Sequence, residues 1–123
     1  MPPKLPPASE ALAAIADDLA EARTPPRAAL ALACRATCAE LGERFGGRTI
    51  ELRVPPFAAV QLHLGEGSTH TRGTPPNVVE TDPETFCRLA LGQLTWTDAR
   101  PRLRVSGVHA EDVAEVFPLP TVG

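Results

Sequence analysis

The chain has 123 residues, 43% of them apolar and 22% charged, which is enough for one modest core and not for two. A net charge of −3 speaks against the basic stripe of a nucleic-acid-binding domain; the run Arg100, Arg102, Arg104 reads as a solvated strand edge. No apolar run reaches the ~20 residues that cross a bilayer, and Met1–Pro7 lacks the apolar stretch of a secretory signal, so the expected location is the cytoplasm, where the three cysteines stay reduced.

In chain order, residues 1–8 read as a flexible, proline-rich tail and residues 9–123 as one domain. Ser9 is a suitable N-cap for a helix to about Ala22, with Leu12, Ile15, Ala16 and Leu19 on one face and Asp17, Asp18 and Glu21 in water. Thr24 then caps a second helix with Pro25 at its first position. Leu30, Cys34, Cys38, Leu41 and Phe45 form its buried stripe, and Gly46-Gly47 end it in the left-handed conformation that glycine takes readily.

The period changes from 3.6 to 2 at Arg48. Arg48–Val54 alternates as a half-buried strand that Pro55-Pro56 breaks. Phe57–Leu64 is a second strand with Val60, Leu62 and Leu64 on one face, and Gly65-Glu66-Gly67 predicts a hairpin turn. Ser68–Asn77 is polar, opens on a short strand or a loop, and carries Gly73 and Pro75-Pro76. Asn77–Thr81 is β-branched. Asp82-Pro83-Glu84 opens a helix with Phe86, Leu89 and Ala90 inward and Gly92 at its end. Thr95 with Asp98 resembles a capping box for a short helix that Pro101 stops. Arg102–Ser106 is the last strand, Gly107 turns the chain, and His109–Val116 is a closing helix with Phe117-Pro118-Leu119 docking behind it. This order predicts an α+β domain with one mainly antiparallel sheet and helices on one face.

Chemistry-bearing residues are sparse. Cys34 and Cys38 share the buried stripe, and the chain has no Cys-x-x-Cys or His-x-x-x-His spacing, so the thiols read as buried small hydrophobes and neither a metal nor a cofactor is expected. No Gly-x-Ser-x-Gly elbow or other catalytic constellation prepares a nucleophile; the expectation is that the chain is not an enzyme. Glu80 stands beside the polar loop, within reach of Arg72. The segment His70-Thr71-Arg72-Gly73-Thr74-Pro75-Pro76-Asn77 reads in two ways. It is a rigid connection, or a stiff loop in which Arg72, Gly73 and Asn77 meet an anion or a partner.

Several of these stretches resemble a known family. Val78-Val79 leading into an Asp-capped helix, then Leu91-Gly92-Gln93-Leu94, a short helix with Ala99, and Leu103-Arg104-Val105-Ser106-Gly107 before a last helix resemble the second half of sterol carrier protein type-2 domains. There a Gly-x-Leu turn follows one helix and a GKLKVSG-like strand precedes the last. Arg53-Val54-Pro55-Pro56-Phe57-Ala58-Ala59-Val60-Gln61 and His70–Asp82 look like a small, stand-alone actinobacterial branch of that superfamily. The resemblance spans roughly residues 10–119. The family strand opens with glycine where this chain has Pro101 or Arg102.

The resemblance implies a mostly antiparallel five-stranded sheet with helices packed on one face. It also implies an apolar tunnel between the two for a fatty acid, an acyl-CoA or a sterol. By period, the residues facing that space are Leu30, Cys34, Leu41, Val60, Leu62, Phe86, Leu89 and Trp96. The other role it implies is a protein-interaction or regulatory domain that keeps the fold without lipid transfer; similar domains are appended to mycothiol-dependent isomerases.

Overall fold

A computed structural model describes residues 4–65 and 77–120. Helix α1 (Ala8–Ala20) precedes α2 (Arg27–Phe45), and strand β1 (Gly46–Val54) follows at once. Strands β2 (Ala58–Leu62) and β3 (Asn77–Glu80) come next, then α3 (Pro83–Leu91), the short α4 (Trp96–Ala99), a 3₁₀ turn, β4 (Arg104–Ser106) and a 3₁₀ helix over Ala110–Val116. None of the described helices is long and apolar enough to cross a membrane.

The fold is α+β, but its sheet differs from expectation. Among the described residues it has four strands rather than five, ordered β2-β1-β3-β4, and it is mixed. β1 pairs antiparallel with β2 and parallel with β3, Ile50 standing beside Asn77 and Leu52 beside Val79. Alternation fixes which face a strand buries and is silent on its neighbours. After β2 the chain returns to the far side of β1, and the 14 residues between Leu62 and Asn77 are long enough for such a crossover. β4 closes the edge antiparallel to β3. A hairpin in the described chain sits at Pro55–Phe57, where the Phe57 N–H donates to the Val54 carbonyl at 2.9 Å.

One sheet face is apolar. Ile50, Leu52, Val54, Leu62 and Val79 are buried, with Val60 and Val105 packed against them. The other face carries Glu51, Arg53, Gln61, Glu80 and Arg104, and the register sets Glu80 between Arg53 and Arg104. α2 covers β1 and β2, α1 and α3 lie against α2, and the 3₁₀ helix covers β3 and β4.

Helix boundaries follow proline stereochemistry. The residue before a proline is pushed out of the α region, so Pro25 cannot open a helix ahead of Pro26. α2 starts at Arg27 with Pro26 as N-cap, not at Thr24-Pro25. α1 starts one residue ahead of Ser9, with Pro7 at the N-cap and its carbonyl accepting from the Ala11 N–H at 3.1 Å, which brings Ala8 into the core. Gly46 is extended, not left-handed, so α2 runs directly into β1. The expected α3 signals are all present: Asp82 accepts from the Thr85 N–H at 3.0 Å, Pro83 is in the first turn, and Gly92 is left-handed with φ 78°. The closing helix is 3₁₀ rather than α; its N–H groups reach back three residues, as from Asp112 to His109.

Candidate functional site

The interior between the helices and the sheet is built from α2. Leu30, Cys34, Cys38 and Leu41 recur at helical spacing and are buried, as the sequence pattern predicts. α3 sets Phe86, Cys87, Leu89 and Ala90 opposite, and β1 and β2 contribute Ile50, Leu52 and Leu62 below. Leu30, Cys34, Leu41, Leu62 and Phe86 belong to one contiguous apolar cluster, with Val60 and Trp96 partly buried against it. Leu89 is buried as well. Trp96 stands at the margin: its indole N–H donates to Glu111 Oε1 at 2.8 Å, and its ring stacks on Phe117 at 6.4 Å.

Phe117 is the aromatic that periodicity did not single out for this space. It meets Phe86 edge-to-face at 6.0 Å and so links α3 to the C-terminal segment, where the Leu119 N–H donates to the Ala90 carbonyl. Its signal in the sequence is the spacing of Ala110, Val113 and Val116. Three residues apart, they form the buried edge of a 3₁₀ helix that delivers the next residue, Phe117, to the core.

All three thiols are free and buried. Cys34 Sγ lies 3.8 Å from Cys87 Sγ and 3.9 Å from the Pro83 carbonyl, to which it donates. Cys87 titrates well above the ordinary thiol range, first because it shares a hydrogen with Cys34 and then because it is buried. Burial, with Cys34 nearby, pushes the Cys38 thiol up to about 12. Such thiols are packing groups rather than nucleophiles. Among the described residues, no three of His, Cys, Asp or Glu come together in a way that could hold a metal.

Asn77 faces inward at the first position of β3. Its Nδ2 donates to the Thr49 carbonyl and its Oδ1 accepts from the His109 N–H, both at 2.9 Å, so the amide ties β1 to the start of the 3₁₀ helix. Arg72 and Gly73 lie outside the described residues, as do Glu66 and Gly67 of the expected hairpin turn. Open grooves lie at the margins of the interior cluster. One is lined by Leu19, Arg88, Gln93 and Leu94; another by Arg27, Ala31, Arg35 and Phe57, where both guanidinium groups lie over the Phe57 ring.

Comparison with known proteins places this architecture. A family model described as "bacterial SCP ortholog" matches residues 26–119, from the cap of α2 to the docked Leu119. No curated protein matches the chain.

Proposed function

Since the chain belongs to the bacterial SCP ortholog family, we propose that it is a small binding module, not an enzyme, that takes an apolar ligand such as a lipid, a fatty acid or an acyl-CoA. The ligand is held between α2, α3 and the sheet, against Leu30, Cys34, Leu41, Val60, Leu62, Phe86, Leu89 and Trp96. The family match is the observation that carries this reading. It is supported by the two-layer build, in which the apolar faces of α2, α3 and the sheet converge on one cluster.

In this reading the mechanism is exchange of one apolar contact for another. Parting α2 from the sheet and from α3 exposes apolar surface at roughly 25 cal/mol per Å², and a ligand that fills the gap returns a comparable amount by its own burial. No catalytic step is involved, and the raised thiol pKa values fit that passive role.

Native mass spectrometry of protein purified from cells tests the reading: apolar mass should travel with the folded chain and leave on denaturation. Long-chain fatty acid, acyl-CoA and sterol should each be titrated while Trp96 emission and the thermal midpoint are followed. A ligand held only by the folded state raises stability by about 2.7 kcal/mol at a hundred times its Kd. If none of them moves either signal, the carrier reading fails.

A second reading, a protein-interaction or regulatory domain that retains the fold, is favoured by how completely the interior side chains already pack on one another; Cys34 and Phe86 are both 0% exposed. Apo protein whose stability no lipid changes, together with recovery of a stoichiometric protein partner, would select it.

A further inference from the structure

Thr37 lies in the middle of the buried stripe of α2. Its neighbours one turn away are Ala33, Cys34 and Leu41, in the core, and Glu40, whose Oε2 is also buried without a hydrogen-bond partner among the described residues; Thr37 itself is 0% exposed. Its hydroxyl has no hydrogen-bond partner among the described residues. That is unusual for two reasons. A helical threonine ordinarily donates to the carbonyl three or four residues back, and here the hydroxyl bonds to neither Ala33 nor Cys34. A buried polar group left unpaired is also a standing cost, and folded proteins hold few of them. Valine has nearly the same shape and would remove the cost.

We propose that the Thr37 hydroxyl is the polar contact of the interior site, made when a ligand brings a hydrogen-bonding group to it. This deepens the carrier reading and rests on it. Its new content is the chemical class of the ligand end that reaches α2. The buried polar and charged residues among those described are Thr37, Thr49, Asn77, Thr81 and Thr85. None of these carries a charge, and the buried oxygen one turn along, Glu40 Oε2, belongs to an acid, so a carboxylate or phosphate brought to Thr37 would lose its hydration with no cation in return. The end that Thr37 receives is therefore uncharged: an alcohol, an ester or a ketone on an apolar body. A hydroxyl both donates and accepts, so it serves each of these. Sites built this way discriminate sharply, because a ligand lacking the polar group leaves the hydroxyl buried and unpaired.

The test compares wild type, Thr37→Val and Thr37→Ser against 1-dodecanol, dodecanoate at pH 8 and n-dodecane, read by Trp96 emission and thermal midpoint. Without ligand, Thr37→Val should melt a few degrees higher, since it loses an unpaired polar group. It should bind 1-dodecanol on the order of tenfold more weakly than wild type and n-dodecane equally well, while Thr37→Ser keeps most of the preference for the alcohol. Three results overturn the proposal. The first is equal affinity of wild type and Thr37→Val for 1-dodecanol. The second is a lower melting point for Thr37→Val, which would reveal an internal partner for the hydroxyl. The third is tighter binding of dodecanoate than of 1-dodecanol with the same loss in Thr37→Val, which would put a charge at the site. In all three the carrier reading survives on n-dodecane binding. If wild type binds none of the three probes, the carrier reading falls and this one with it.

Discussion

Cys34 Sγ and Cys87 Sγ stand 3.8 Å apart across the α2–α3 contact, each in a side chain that is 0% exposed. The helices meet through sulfur. Because all three thiols are buried and free, a thiol reagent added to the native protein at pH 8 should label none of them quickly, and the same reagent in denaturant should count three. A native count of one or more within minutes would contradict this packing.

The thiols also set an alkaline limit. An unfolded thiol titrates near 8.5, whereas burial holds Cys38 at about 12 and contact with Cys34 holds Cys87 well above its ordinary value. The folded state keeps these protons when the unfolded state has lost them. Their stabilising contribution is thus complete below about pH 8.5 and declines as pH rises toward about 12. Denaturant midpoints measured from pH 7 to 11 should fall across the upper half of that range. Cys38→Ala should flatten the fall; if the slope is unchanged, the Cys38 proton is not its source.

Asn77 is tested by what it leaves behind. Asn77→Ala orphans the Thr49 carbonyl and the His109 N–H together, and the expected loss is about 1–3 kcal/mol for each group that stays dry. Asn77→Asp can still accept from His109 but cannot donate to Thr49, and it buries a charge. It should therefore be as damaging at neutral pH and milder in acid. Urea unfolding of the two variants decides the matter; a loss below about 0.5 kcal/mol in both would mean that the amide bridges nothing of consequence.

Elements whose determinants are local were legible in the sequence. Asp82, Pro83 and Gly92 frame α3 as expected, because a cap, a first-turn proline and a left-handed glycine act over three or four residues. The α2 stripe is equally plain, since helical period alone decides which side of Leu30, Cys34, Cys38 and Leu41 is wet. The parallel pairing of Leu52 with Val79 was not legible, because it joins residues 27 apart through a crossover that alternation does not encode. Nor was the double use of the Asn77 amide, whose partners lie 28 and 32 residues away. Of the interior cluster, the buried faces were readable by period. The unpaired hydroxyl of Thr37 was not, because a threonine in a helix ordinarily satisfies itself.

Glu111 joins the C-terminal segment to α4 and provides an acid counterpart to the thiol prediction. Its carboxyl accepts from the Trp96 indole N–H and from Arg100 Nε, both at 2.8 Å; the Trp96 bond first, opposed by burial and then aided by Arg100, holds it below the usual carboxylate range. A carboxyl lowered in the folded state contributes stability above its unfolded value near 4.3, and that contribution is lost as pH falls through the folded value. Trp96 emission should therefore hold steady to about pH 4.3 and change below it. Glu111→Gln, which can still accept from the indole, should abolish that step. A step that persists in Glu111→Gln belongs to another group.

Gly47 is held by proximity rather than by its own dihedral angles. β1 and β2 lose register between Gly46 and Ile50, both of which face Leu62, so the chain bulges there and Gly47 is driven onto His63. A Cβ built on Gly47 would overlap His63 Cβ and stand 3.1 Å from the His63 backbone nitrogen. That nitrogen donates to the Phe45 carbonyl at 2.7 Å, and the His63 ring is hydrogen-bonded to the Thr49 hydroxyl. An added methyl group therefore meets backbone on a paired strand, with no flexible side chain to yield. Gly47→Ala should push the end of β2 away from β1, weaken the His63 N–H bond and cost about 1–3 kcal/mol, the range for overpacking. Amide exchange should locate the effect: faster at His63, with Leu52 and Val79 in the sheet centre slowed or sped only by the change in global stability. If Gly47→Ala is as stable as the parent and His63 exchanges at its old rate, the close approach at the bulge is not what requires glycine there.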